Sequence, residues 1–405
     1  MVAANFTGGE AEELRRALGK TRSYMDTRMR KIEVKLRSGM TENGISQKAQ
    51  DEIIQSIVSF ALYGFPESHA ASFALIAYAS AYLKTHYLAA FTAAILNNQP
   101  MGFYHSSTLI KDAQRHGLRV LSVDVLKSDW PCTIEKFPGN EGLCLRLGFR
   151  YVRGMREEAA QALVKERSRA HFESISDLAR RVPDLRKNEL VTLADIGALN
   201  SLGKVTQDAL PGVRVGINTL VPIGKRGRKE PQFHRRDALW QAEAAAQPIG
   251  PLLEEVAQPD HASPLAAMTP TERMVADFRG TGVTVGPHPM TYHRARMQKI
   301  GALTAVQLTQ LPNGRHVRIG GTVIVRQRPG TAHGFVFLSL EDETGVANVI
   351  VTPDLFQRNR LLLVDERFLL VEGTLQNIDR VVSVKADRVL PLRGTDVDLH
   401  SHDFH

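Results

Sequence analysis

Cysteine is nearly missing from this chain of 405 residues, which holds only Cys132 and Cys144. Two are too few for a disulfide framework, and their spacing does not make a close metal pair, so a reducing, cytoplasmic setting is expected. Long apolar runs are missing as well. The longest apolar region, Ala70 to Leu96, is interrupted by Ser72, Ser80, Lys84 and His86. That excludes a comfortable membrane span of about 20 predominantly apolar residues, and no membrane partner is expected. The chain does not open on a basic stretch followed by an apolar one, so no signal peptide is read. Acidic residues are in the minority, 43 against 51 Lys and Arg, for a formal net charge of +8. The Asp-x-Asp pairing occurs once, at Asp396-Val397-Asp398, beyond the last strand-like segment, where a solvated tail is the ordinary reading.

What is present suits a soluble chain of roughly two to four domains. The hydrophobic share is 43% and the aromatic share 6%, ordinary for packed cores. The excess of positive charge is concentrated. Residues 14–39 hold Arg15, Arg16, Lys20, Arg22, Arg28, Arg30, Lys31, Lys35 and Arg37 against Asp26 and Glu33. Such a stripe is the electrostatic footprint of a phosphate-backbone partner, although a solvated helix face has the same composition. Next, Gly64-Phe65-Pro66-Glu67-Ser68-His69-Ala70-Ala71-Ser72-Phe73 leads into an apolar helix ending at Tyr82-Leu83-Lys84-Thr85-His86-Tyr87. Two hydroxyls and an imidazole thus stand at a helix start, where unpaired N–H groups and the macrodipole favour an anion. A plain cap at Ser68 and a surface imidazole at His69 would read the same way.

Farther along, the spacing predicts helices over 46–63, 70–97 and 107–117, a strand over 119–125 and a helix over 157–169. Val152-Arg153-Gly154-Met155 before that last helix has the form of a helix-hairpin-helix turn. Its glycine permits a tight bend, and its backbone N–H groups face a phosphate without reading sequence. Arg156 stands where a second glycine is usual, adding charge to an imperfect nest. A second helix pair spans 176–181 and 187–199. Residues 204–233, with the basic run Lys225-Arg226-Gly227-Arg228-Lys229, read as an inserted loop, and the prolines between Gln247 and Pro270 as a linker. From 315 to 392 the pattern alternates with period two. Five strands with a helix before the fourth predict an OB-fold barrel. Such barrels stack bases on aromatics in a basic groove, for which Arg326, Arg328, Phe335, Phe337 and Lys385 are candidates; either phenylalanine could equally be core. His400, His402 and His405 could bind a metal, but a charged terminal tail has the same composition.

The run from Tyr63 to Gln99 resembles the fingers signature of bacterial C-family DNA polymerases. Pro66-Glu67, Phe73 and Asn97-Asn98-Gln99-Pro100-Met101-Gly102-Phe103-Tyr104 make it similar to the error-prone, translesion-type alpha subunit of DNA polymerase III. The likeness continues through Asp124 to Trp130, Arg326 to Thr331, Phe335 to Asp342 and Ser401 to His405. It implies a multidomain chain, mainly α in its fingers and helix-hairpin-helix parts and followed by a C-terminal all-β OB barrel. The expected domains are 1–135 (fingers), 142–203 (helix-hairpin-helix), 204–314 (insertion, linker and connecting helices), 315–392 (OB-fold) and 393–405 (tail).

The resemblance implies template-directed nucleotidyl transfer in DNA repair and translesion synthesis, within the SOS response. Deoxynucleoside triphosphates, primer-template DNA and single-stranded DNA are the implied partners. On this chain Ser68, His69, Ser72, Phe73 and Lys84 would contact the nucleotide. Arg22, Arg28, Arg30, Lys31, Arg153, Gly154, Arg156, Arg326, Arg328, Phe335, Phe337 and Lys385 would contact DNA. The family's Mg2+ is held by palm aspartates that have no counterpart in this sequence, so no catalytic or metal-binding residue is assigned. The isolated chain is expected to be inactive, its palm supplied by a separate chain or lost, with mutasome proteins as further partners. The other reading is a non-enzymatic DNA-binding remnant or accessory subunit.

Overall fold

The computed structural model describes residues 3–10, 14, 22–62, 67–102, 104–136, 142–202, 233–247, 263–379, 381–392 and 402–404; for 22–31, 58–62, 67 and 402–404 it describes the backbone alone. The chain divides into two compact units, Met1–His86 and Tyr87–His405.

The first unit is helical: α1 (Arg22–Glu42), α2 (Gln47–Leu62) and α3 (Glu67–His86). Ile32, Leu36 and Met40 recur every fourth residue along α1, and this stripe packs with Ala4, Phe6 and Ile54. Gly44, at φ +72°, lets the chain reverse after α1. Buried Gln50 then ties α2 back by donating to the Ile45 carbonyl at 2.9 Å and to Thr41 Oγ1 at 3.1 Å. α3 is different: Phe73, Leu75, Ile76, Tyr78, Tyr82 and Leu83 are all exposed.

The second unit begins with α4 (Leu88–Asn97) and α5 (Ser106–Arg115), followed by a small sheet of β1 (Arg119–Leu121), β2 (Thr133–Lys136) and β3 (Leu143–Arg146) in the order β1-β3-β2. Then come α6 (Glu157–Arg169), α7 (Ile175–Arg181), α8 (Lys187–Asp195) and α9 (Arg235–Ala245). One core runs through all of these, from Ala89 and Leu96 through Phe149, Leu163 and Leu193 to Ala242 and Val283. The same core thus extends across the 135–142 stretch and takes in the helix that starts at Arg235.

Two further differences from the sequence reading have identifiable reasons. The helix expected over 70–97 breaks at Tyr87, whose φ of −134° is non-helical and whose carbonyl accepts the first bond of α4 from Phe91. No glycine or proline marks that break. The strand expected over 119–125 stops at Leu121, because Asp124 and buried Ser128 close a turn by bonding to each other's backbone. Ser128 Oγ also donates to the Leu147 carbonyl at 2.8 Å. Both cysteines are buried and no disulfide joins them.

Helices α10 (Pro270–Thr281), α11 (Pro289–Lys299) and α12 (Ala305–Leu308) lead to the barrel. Its strands are β4 (His316–Gln327), β5 (Val336–Glu341), β6 (Val346–Val351), β7 (Phe368–Ile378) and β8 (Val381–Pro391), with α13 (Pro353–Arg358) and α14 (Arg360–Asp365) between the third and fourth. They pair in the order β5-β6-β8-β7-β4, and β4 closes the barrel onto β5. Long β4 serves both partners by bending at a bulge between Val323 and Val325. Opposite the bulge of β8 at Asp387, the Cβ of any residue other than Gly373 would lie 2.1 Å from the Lys385 carbonyl oxygen. Alternate residues such as Val317, Ile319, Leu338, Val349, Leu369 and Val371 fill the interior. A last strand, β9 (His402–Phe404), runs parallel to the end of β4.

Buried charges join the barrel to the helical body. Arg115 pairs with Glu341 at 2.8 Å, and Arg294 with Asp342 at 3.1 Å and with Glu343. Asp342 also accepts the N–H of Ala305 at 2.8 Å. Beside them buried Lys111 donates to Gln114 Oε1 at 2.8 Å and to the Gly286 carbonyl. Burial lowers its pKa to about 8, against the pull of Glu341 and Asp277. An amine with a lowered folded pKa binds fewer protons than the unfolded chain between pH 8 and the ordinary lysine value. Its contribution to stability therefore rises as pH increases through that window. Raising pH from 7 to 9.5 should stabilise the wild-type chain relative to Lys111→Met by roughly 1–3 kcal/mol in denaturant titrations. Parallel pH profiles for the two proteins would refute a charged, desolvated Lys111.

Candidate nucleic-acid interface

Three places carry the residues singled out from the sequence. In the second unit the hairpin Val152–Arg156 joins a single 3-10 turn at Phe149–Tyr151 to α6. Gly154 stands at φ +78°, and an added Cβ there would meet open space, so the glycine serves the bend rather than a close protein contact. The hairpin's backbone donors are largely committed. Arg153 N–H goes to the Gly280 carbonyl at 2.7 Å and Met155 N–H to Val152 at 3.1 Å. Arg156 N–H goes to Glu189 Oε1 at 2.9 Å.

Glu189 is nearly fully buried and collects four bonds: both backbone N–H groups of Arg156 and Arg186, and the Arg156 Nε and Nη2 at 3.0 and 2.9 Å. Burial alone would raise its pKa; the Arg156 guanidinium and the two N–H groups outweigh that and hold it below the usual carboxylate range. Arg156 thus fills the second-glycine position with an internal clamp between the hairpin and α8. Gly154, exposed Arg153 and the first turn of α6 remain toward solvent.

On the barrel, register places Gln327, Phe337, Ile350 and Lys385 side by side across β4, β5, β6 and β8. Phe337 and Lys385 are exposed, on the face away from the core. Beside them lies a cavity of about 380 Å³ whose lining includes Gln327, Phe337, Ser339, Asn348, Ser383 and Tyr104. Arg328 is exposed, with its guanidinium 4.8 Å from the Phe356 ring centroid. Phe335 is half-buried where the chain enters β5. Arg326 is turned inward: its Nε donates to the Leu363 carbonyl at 2.8 Å and its Nη2 to that of Glu366, tying β4 to the end of α14.

In the first unit, Ser68, His69, Ser72 and Phe73 lie exposed on the first turns of α3, and the rings of His69 and Phe73 stand 4.4 Å apart. Lys84 follows fifteen residues after His69, about 22 Å along the axis at 1.5 Å per residue. That backbone span exceeds the length of a triphosphate. Of the basic stripe, Lys35 is paired with Glu10, and Arg37 bonds Glu33 at 3.0 Å and Asp51 at 2.7 Å. The side chains of Arg22, Arg28, Arg30 and Lys31 lie outside the described residues, as do Asp396, Asp398 and the 204–232 stretch of the expected insertion. Among the described residues no group of three or more His, Cys, Asp or Glu could hold a metal ion. No described helix is long and apolar enough to cross a membrane.

The sequence reading missed Tyr104 as a member of the barrel-face cavity. The residue belongs to the Asn97–Tyr104 run, but nothing in that run points to a strand more than two hundred positions away.

Comparison with known proteins agrees with this layout. Residues 117–209 match the family described as helix-hairpin-helix motif, and residues 310–392 match the OB-fold nucleic acid binding domain. The chain is 40% identical to an error-prone DNA polymerase of Anaeromyxobacter dehalogenans (strain 2CP-C), covering 100% of this chain and 34% of that protein. Relatives of the same name in Aromatoleum aromaticum and Alkalilimnicola ehrlichii are 39% and 38% identical, again over 100% of this chain and over 35% and 36% of their own. A solved asparaginyl-tRNA synthetase from Pyrococcus horikoshii aligns over 22% of this chain and 23% of its own, at 22% identity and a TM-score of 0.19, too slight a likeness to argue from. The chain spans about a third of the length of the curated relatives it matches. It is a homologue, along its whole length, of that third of the error-prone DNA polymerases.

Proposed function

We propose that these 405 residues are the DNA-gripping and nucleotide-facing portion of an error-prone DNA-directed DNA polymerase, acting in repair and translesion synthesis. The observation that carries this is an identity of about 40% over the whole chain, with hairpin and barrel in order. In this reading the start of α3 meets the incoming triphosphate through Ser68, His69 and Ser72, with Phe73 toward the base. The solvent side of the Gly154 hairpin takes a duplex phosphate, and the barrel face takes the single-stranded template. The magnesium-binding carboxylates come from outside the assigned set, whether from a palm-bearing chain or from a longer form of the protein.

The chain should bind single-stranded and primed DNA more tightly than blunt duplex, with affinity falling steeply as salt rises. Each phosphate contact contributes about 0.7–0.9 to the log–log slope, so Arg153→Ala and Lys385→Ala should each flatten it by about that amount. Fluorescence anisotropy across a salt series measures this, and a flat response in the wild-type chain would sink the reading.

On this reading the purified 405-residue chain should not extend a primer, because its residues are assigned to gripping DNA and nucleotide and not to holding the two metal ions of nucleotidyl transfer. Template-dependent incorporation that is abolished by a chelator would show otherwise.

In a polymerase that joins this chain to a carboxylate-bearing palm, His69→Ala should raise the nucleotide concentration needed for half-maximal rate by roughly 10- to 100-fold, the worth of one charge-assisted contact. DNA affinity should stay unchanged. Lys84→Ala, a helix-length away, should leave nucleotide use unaltered. Equal effects of the two substitutions would overturn this placement.

A further inference from the structure

The cavity on the barrel face has one wall that the barrel does not supply. Tyr104, from the loop between α4 and α5, lines it together with Phe337, Gln327, Ser339 and Asn348. The same tyrosine also lines an adjoining cleft of about 520 Å³ with Met101, His105, Arg150 and Tyr151, so the two hollows share it. At about 380 Å³ the barrel-face cavity is of ligand size. Its lining holds two aromatic rings, amides, hydroxyls and aliphatic carbons, and no charged side chain. A phosphate gains little from such a surface, since it is held by cations and dense N–H groups. A flat, uncharged, hydrogen-bonding group gains a good deal, because rings offer it a stacking face and amides an edge partner.

The ends of the loop that carries the tyrosine are fixed before any ligand arrives. Arg150 donates to the carbonyls of Asn97 and, at 3.2 Å, of Gln99. The Asn97 side chain exchanges bonds with the Cys132 backbone at 2.9 and 2.7 Å. Tyr151 Oη donates to the Leu96 carbonyl at 2.8 Å and meets Ser106 Oγ at 3.2 Å on the far side of the loop. Both ends of the loop are thus fixed to the 3-10 turn that opens the hairpin. Yet Tyr104 itself is 47% exposed and Phe337 37%, so neither ring is a core residue. Large aromatics kept wet on a pinned support lose little entropy on binding.

We propose that the cavity between Tyr104 and the barrel is a nucleobase pocket. An unstacked base of a single strand lies against the rings of Tyr104 and Phe337 with its edge toward Gln327, Ser339 and Asn348, while the backbone passes Lys385. The pocket rests on the single-strand reading of the barrel face, to which it adds a residue from the helical body and a preference for bases over backbone.

The test uses the full chain and two labelled oligonucleotides of equal length and charge, one oligothymidylate and one in which alternate nucleotides are abasic. Wild-type chain should bind the normal strand at least about tenfold more tightly than the abasic one. Tyr104→Ala should weaken the normal strand by roughly 5- to 100-fold, the range for one stacked base, and leave the abasic strand nearly unchanged. Tyr104→Phe should retain wild-type affinity, and unchanged thermal unfolding of both variants separates lost stacking from lost fold. Equal binding of both strands by wild type, no effect of Tyr104→Ala, or an equal loss on both strands would each overturn the pocket while the chain still binds DNA. Failure of the wild-type chain to bind either strand at low salt would overturn the parent reading, and the pocket with it.

Discussion

The acidic turn at Glu341–Asp342–Glu343 is where the second unit is joined, and the barrel face has its geometry because of it. Arg115 reaches Glu341 from the helical body, and Arg294 reaches Asp342 and Glu343 from α11. Asp342 is further saturated by the N–H groups of Ala305, Thr344 and Gly345. Desolvating so many charges is costly, and such an arrangement adds less to stability than its Coulomb energy suggests. What it supplies is orientation. A buried carboxylate that loses its arginine is left uncompensated, at a cost of about 3–5 kcal/mol, so alternative seatings of the barrel are strongly disfavoured. The position of Tyr104 beside β5 follows from that fixed seating.

A second buried carboxylate plays the same part for the hairpin. Glu189 binds the backbone and guanidinium of Arg156, and it spans the gap that a second glycine would otherwise leave for an approaching phosphate. Both devices set an arginine against an inward carboxylate, and at Arg156 charge that the sequence assigns to DNA becomes internal structure. The same holds for Arg326, which reaches the end of α14, while Lys35 and Arg37 of the basic stripe are paired with carboxylates at the surface. The net charge of the chain therefore overstates the charge it presents at any one surface.

How much could be read beforehand follows from this. The barrel was legible because alternating residues such as Val317, Ile319, Leu338 and Val349 fill one interior, and period two is a local property. Helix α6 was legible for the equivalent reason at helical spacing, and its bounds, Glu157–Arg169, coincide with those expected. The break at Tyr87 was legible only in part, because Lys84 and His86 interrupt the apolar run just before it but no glycine or proline marks it. The partners of Arg156 and Arg326 were not, since a sequence shows that an arginine is present but not which acceptor lies 33 or 37 positions away. Tyr104 was the least accessible of all. Its neighbours in the cavity come from β4, β5, β6 and β8, and only the closed fold brings them to it.

These constraints distribute the labour of binding unevenly. The hairpin has spent its Arg153, Met155 and Arg156 N–H groups on protein acceptors, and the first turn of α6 carries Glu157 and Glu158, which repel an approaching phosphate. Its remaining grip is Gly154, Arg153 and the orphan donors of a helix start, a modest set. The barrel face, by contrast, keeps its rings and amides open and its one registered cation, Lys385, at the side. Affinity carried by stacking is tolerant of base identity and of gaps in the opposing strand, whereas affinity carried by a duplex-phosphate nest requires a regular double helix. On the proposed function, a surface that weights the first over the second suits a template whose duplex is interrupted.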